Sequence, residues 1–171
     1  MKQKSKQELK YFLLVVATIF VWRVIPHPPN LTPVLALALW GSVLIKSPSR
    51  LIAALVAGMF LSDLIVGAHE LMPFIYGCYA LIAILGLKYL KHESIQSVGI
   101  YTFTASTLFF ALSNFAVFLT SGIYPRTLTG LVSCYTMALP FYGVALLGDL
   151  LFSAAIYLVY NLGHQQLAAQ A

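Results

Sequence analysis

Long apolar runs, cut by short clusters of proline, glycine and charge, organise this chain. The runs predict six membrane helices, at about 9–24, 33–45, 48–67, 72–90, 97–121 and 140–161. Thr32 and Ser47 stand where helix caps are expected, and each precedes a proline suited to a first helical position. Between the fifth and sixth runs, YPRTLTGLVSCYTMAL is too long for a turn. It predicts a loop holding a short interfacial or re-entrant segment at about 127–138. The fold class that follows is an all-α integral membrane protein, one membrane domain over residues 1–171.

The second run is short. At 1.5 Å per residue it reaches only about 20 Å, against a hydrocarbon core of about 30 Å. Such a helix is expected to be buried in the bundle or to end at a water-filled cavity, and short helices often mark binding sites in transporters. The stretch RVIPHPPNLTP leads into it, a proline-stiffened connector that also carries Arg23, His27 and Asn30.

Composition agrees with the pattern. The chain is 60% hydrophobic and only 9% charged, whereas a soluble domain carries about 25% charged residues. The net charge of +5 does not point to nucleic acid, because the basic residues punctuate the apolar runs instead of forming a patch. A lipid bilayer is the expected surrounding. The lysine-rich start resembles a signal peptide, yet Arg23 and Pro26 stand where a small-residue cleavage site would be, so a retained first helix is expected.

Loop charges give an orientation. With six spans, one side holds Lys2, Lys4, Lys6, Lys10, Lys46, Arg50, Lys88 and Lys91, and the other only Arg23 and Arg126. Both termini are therefore expected in the cytoplasm. His27, Asn30, Asp63, Cys78 and Asn114 then fall in the outer half, and Asp149 near mid-membrane. That asymmetry predicts a site open to the outside.

Candidate chemistry is sparse. A carboxylate inside a membrane helix costs at least about 2.5–3.5 kcal/mol on insertion scales, so Asp63 and Asp149 are expected to face the bundle interior. They either bind a polar solute or cation, or lock helices together. Cys78 is either a small apolar residue or a soft metal ligand. The tyrosines at 76, 79, 124, 135 and 142 suit an interfacial belt or an aromatic-lined cavity for a flat ligand. Ala53, Ala54, Ala57 and Gly58 form a small-residue stripe that lets helices approach closely. No G-x-x-x-x-G-K-[ST], G-x-S-x-G or H-E-x-x-H occurs, and ALLGDLL lacks the G-x-G-D of intramembrane aspartyl proteases.

The segments PHPPNLTPVLALALWG, LSDLIVG, SNFAVFLTSGIYP and GLVSCYTMALPFYGVALLGDLLFSA together resemble a bacterial membrane family to which transport is ascribed. LPFYGVALLGDLLFSA is also similar to the last helix of the substrate-binding S components of energy-coupling-factor vitamin transporters. The resemblance implies six helices, cytoplasmic termini, an outward pocket and an energising membrane partner. Phe152 stands where biotin-binding members carry lysine, and the first helix has only Ala17 in place of an A-x-x-x-A docking stripe. A solitary, cobalamin-linked branch uses a membrane cysteine as ligand to the corrin cobalt. Cys78 is the residue that this resemblance implies for that metal.

The expectation is membrane-embedded capture and uptake of a small organic solute. A vitamin is the expected class, with cobalamin the sharpest candidate and no intrinsic cofactor. His27, Asn30, Asp63, Cys78, Asn114 and Asp149 would line the pocket. A membrane enzyme acting on a cofactor or lipid, or a structural subunit, are the alternatives.

Overall fold

A computed structural model describes the backbone of residues 2–90 and 94–169 and the side chains of 6–90 and 94–162. Lys91 and the side chains of Lys2 and Lys4, which enter the charge count above, lie outside them. The described residues form six α-helices and no strand: α1 (Lys2–Val24), α2 (Val34–Leu44), α3 (Pro48–Val66), α4 (Met72–Tyr89), α5 (Ile95–Thr120) and α6 (Leu128–Ala169). Four of them, α3 to α6, are long and apolar enough to cross a membrane. The chain is a multi-pass membrane protein. In α1 the opening turns carry lysines as far as Lys10, and the stretch after it, Tyr11–Val24, reaches only about 21 Å.

The bundle is built around α2. This helix is apolar on every face, which forces burial, and nine of its residues are buried, Trp40 among them. It touches all five other helices. These follow one another around it in the order α1, α3, α4, α5, α6, and Trp22 of α1 closes the circuit edge-on against Phe152 of α6, 4.9 Å between ring centroids. At Gly86 of α4 an added Cβ would lie 2.4 Å from the Leu39 carbonyl oxygen, so α2 and α4 meet backbone to backbone. Gly58 does the same for α3 and α1, its Cα facing Ile19 and the Val16 carbonyl. Ala54 and Gly58 of the small-residue stripe are thus internal packing, while Ala53 is exposed.

Helices α1 and α3 run in the same direction, side by side. Ion pairs join them at both ends, Glu8 with Arg50 and Arg23 with Asp63. The outward faces remain apolar: Leu147, Leu151, Leu158 and Val159 of α6 and Ile100 and Phe103 of α5 are all more than half exposed. An apolar surface of this extent requires lipid around it.

Two details depart from the sequence pattern. The segment 127–138 is not a separate re-entrant element; it forms the opening turns of α6, which continues through Pro140. Proline removes one helical donor but is tolerated in membrane helices where neighbours compensate. Here those turns are held to α5, the Tyr135 hydroxyl donating to the Ala111 carbonyl at 2.6 Å and the Cys134 thiol to that of Asn114. The expected caps also differ. Pro33, not Thr32, occupies the N-cap of α2; Ser47 does occupy the N-cap of α3, with its hydroxyl turned to that of Ser49 and not to the helix backbone.

Candidate functional site

A cavity of about 500 Å³ opens between the helices at the end of the bundle that carries the 25–33 connector. All six helices or their connectors contribute to its wall. His27, Asn30 and His69 come from the loops, Arg23 from α1, Leu35 from α2, and Ile75 and Tyr79 from α4. Helix α5 supplies Ser106, Phe109, Phe110, Ser113 and Asn114, a spacing of three and four that puts them along one face. Helix α6 supplies Ala138, Phe141, Tyr142, Ala145 and Asp149 in the same manner.

The connector is shaped by its prolines. The Leu31 amide donates to the Pro28 carbonyl at 3.1 Å, and Asn30 takes a left-handed φ of 65°. Proline second and a left-handed residue third is the pattern of a type II turn, and asparagine is among the few non-glycine residues that adopt that conformation readily. Trp22 ties the turn to α1, its indole N–H donating to the Leu31 carbonyl at 2.7 Å. Leu31 in turn packs on Gly148 of α6, where a Cβ would lie 2.8 Å from Leu31 Cδ1. His27 Nδ1 lies 2.8 Å from the Ile25 carbonyl. A carbonyl only accepts, so Nδ1 carries the proton and Nε2 is the free acceptor of the neutral ring.

The floor lies deep. Ser106 is about 21 Å from the end of α5 at 1.5 Å per residue, and its hydroxyl bonds the carboxylate of Asp149 on α6. Asp149 is only 5% exposed, and neither salt bridge among the described residues involves it. Aromatic side chains form the walls above. Tyr79 and Phe109 stack at 4.7 Å with 24° between their planes, and Phe110 lies 4.5 Å from Tyr142. The Tyr142 hydroxyl is fixed by Thr107 at 2.7 Å.

The family's profile matches residues 3–170. The chain belongs to DUF6580, a family of unknown function. No curated protein and no solved structure matches it.

Of the residues that the sequence brings forward in this DUF6580 chain, His27, Asn30, Asn114 and Asp149 share the cavity wall. Asp63 does not. It is buried behind Arg23, which donates to its Oδ1, while the Tyr76 hydroxyl donates to Oδ2 at 2.5 Å. Asp63 thus reaches the cavity only through Arg23. The two aspartates do not converge, so no carboxylate pair is available for acid–base chemistry of the aspartyl type. Cys78 is buried on α4 and is not part of the wall. Among the described residues no group of three or more His, Cys, Asp or Glu side chains is placed to hold a metal ion. The sequence brings Arg23 forward with the connector and offers an aromatic-lined cavity with Tyr79 and Tyr142 as one reading of the tyrosines, and all three line the wall. It misses Ser106, Phe109 and Phe110, which carry no signal that separates them from ordinary membrane-helix residues.

Proposed function

We propose that this protein captures a small organic solute from the outer face of a bacterial cytoplasmic membrane and serves in its uptake, a vitamin or vitamin-like compound being the ligand class. The observation that carries the reading is the cavity itself: about 500 Å³, with Arg23, His27, Asn30, Ser106, Asn114 and Asp149 on its wall, inside a bundle whose outward faces are apolar. Cavities of roughly 300–1,000 Å³ hold small organic ligands. The eight-to-two division of lysine and arginine between the two ends supports six spans, cytoplasmic termini and an outward mouth. The resemblance of the last helix to vitamin-binding S components supports the ligand class. Uphill transport would draw on an energising membrane partner or on metabolic trapping of the solute, because the chain carries no G-x-x-x-x-G-K-[ST] loop.

Within that class the cavity favours a ligand smaller than cobalamin. A corrinoid with its nucleotide tail would leave much of its volume outside, without a thiol to meet its metal. Thermal unfolding of the full chain in lipid nanodiscs, with a panel of vitamins and their precursors, tests the proposal. A true ligand at one hundred times its Kd stabilises by about 2.7 kcal/mol, and the gain should vanish when Ala145 is enlarged to Phe to fill the cavity. A panel in which no compound raises the midpoint, or in which Ala145→Phe keeps the full gain, would count against it.

A further inference from the structure

Resting on the reading of the cavity as a solute site, we infer that the solute is a planar organic cation, its charge placed at Asp149 and its ring held between the aromatic walls. Two charged side chains are on the wall, Arg23 and Asp149. They are not equivalent. The charge of Arg23 is met by Asp63, which lies behind it with its second oxygen occupied by Tyr76. Asp149 has the Ser106 hydroxyl and no basic side chain in either salt bridge. A carboxylate offers about four acceptor sites, and one hydroxyl fills one of them. A buried carboxylate without a counter-charge is costly, and an arriving cation offsets that cost directly. An arriving anion would meet a guanidinium whose charge Asp63 already balances, although its Nε–H is left without a partner among the described residues.

The walls favour the same class. Above Asp149 the space is bounded by Tyr79, Phe109, Phe110 and Tyr142. Aromatic faces carry negative partial charge, and they attract a desolvated cation. The stacked pair Tyr79–Phe109, with only 24° between planes, presents a flat surface against which another ring can lie. The hydroxyl side chains of Ser106 and Ser113 add hydrogen-bond partners without adding charge. A carboxylate at the bottom of an aromatic cleft is the arrangement that recognises a quaternary or protonated heteroaromatic nitrogen.

The test is isothermal titration of the full chain in lipid nanodiscs, corrected against empty discs, with three probes that share one bicyclic ring. These are the N-methylquinolinium cation, quinoline (neutral at the assay pH) and the anion quinaldate. The wild-type protein should bind the cation about tenfold more tightly than quinoline, with quinaldate the weakest. Asp149→Asn should bring cation and neutral probe to within about twofold while quinoline binding is retained. Equal binding of cation and neutral probe by the wild type, or quinaldate as the tightest, overturns the cation inference and leaves a solute cavity. A preference that survives Asp149→Asn overturns the role of Asp149. The wild-type ranking decides the charge preference even if that variant fails to fold. Absence of binding by all three probes overturns this inference, whereas the solute reading falls only if the vitamin panel fails as well.

Discussion

Arg23 on α1 and Asp63 on α3 are bonded side chain to side chain, and Tyr76 on α4 completes the group from the far side of the carboxylate. One carboxylate thereby joins three helices directly beside the cavity. The pair makes Arg23 a fixed part of the wall and cancels its charge there. Asp63→Ala would leave a partly buried guanidinium unpaired, a loss of about 3 kcal/mol. The thermal midpoint in nanodiscs should fall accordingly, and the double variant Arg23→Met with Asp63→Leu should recover most of it. The single variant should also weaken the binding of a cationic solute, because an uncompensated Arg23 now repels it. A midpoint unchanged in Asp63→Ala would refute the clasp.

Backbone contact between α2 and α4 makes Gly86 intolerant. A methyl group there would sit 2.4 Å from the Leu39 carbonyl oxygen, which no side-chain adjustment relieves. Gly86→Ala should therefore abolish monodisperse expression or lower the midpoint sharply, as overpacking of a tight core costs about 1–3 kcal/mol or more. Gly77→Ala on the same helix, with nothing within 4 Å, should be neutral. Comparing the two by fluorescence-detected size exclusion separates this contact from general glycine effects.

The left-handed Asn30 sets the shape of the mouth. Asn30→Gly should keep stability within a few tenths of a kcal/mol, whereas the β-branched Asn30→Val should cost about 1–2 kcal/mol through the backbone alone. Thermal unfolding without added solute reports this directly. Similar midpoints for the two variants would mean that the turn is not under this constraint.

The orientation can be read chemically. Both native cysteines are buried, so a cysteine introduced by Pro29→Cys should be the dominant target of a membrane-impermeant thiol reagent. Labelling in intact cells is the expected outcome. Labelling only after permeabilisation would reverse the topology, and the proposed direction of capture with it.

Much of the fold was legible because membrane helices announce themselves through length and apolarity. The pattern predicts helices at 48–67 and 72–90, and α3 and α4 run over Pro48–Val66 and Met72–Tyr89. The shortness of the second run was equally readable, since a helix apolar on all sides and too short to span belongs inside the bundle, where α2 lies. Pro140 misled for a local reason. Proline is a strong helix start in isolation, but the hydroxyl of Tyr135 and the thiol of Cys134 hold the preceding turns against α5 and keep α6 continuous. The site was legible by residue type only. Sequence marks Asp63 and Asp149 as equally unusual, and nothing short of packing distinguishes the one covered by Arg23 from the one facing the cavity. Cys78 and Tyr79 are neighbours in the chain, yet only Tyr79 faces the cavity, because helix phase turns successive residues about 100° apart.

The chain has two tryptophans, one buried in the bundle and one half-buried at the mouth. Trp40 is entombed in α2, while the Trp22 indole is bonded to Leu31 in the mouth turn and rests edge-on against Phe152. The protein therefore carries its own optical gauge. Emission from Trp40 supplies a steady background, and any solute that displaces the mouth turn changes the hydrogen bond and ring contact of Trp22, so that occupancy can be followed by intrinsic fluorescence without a label.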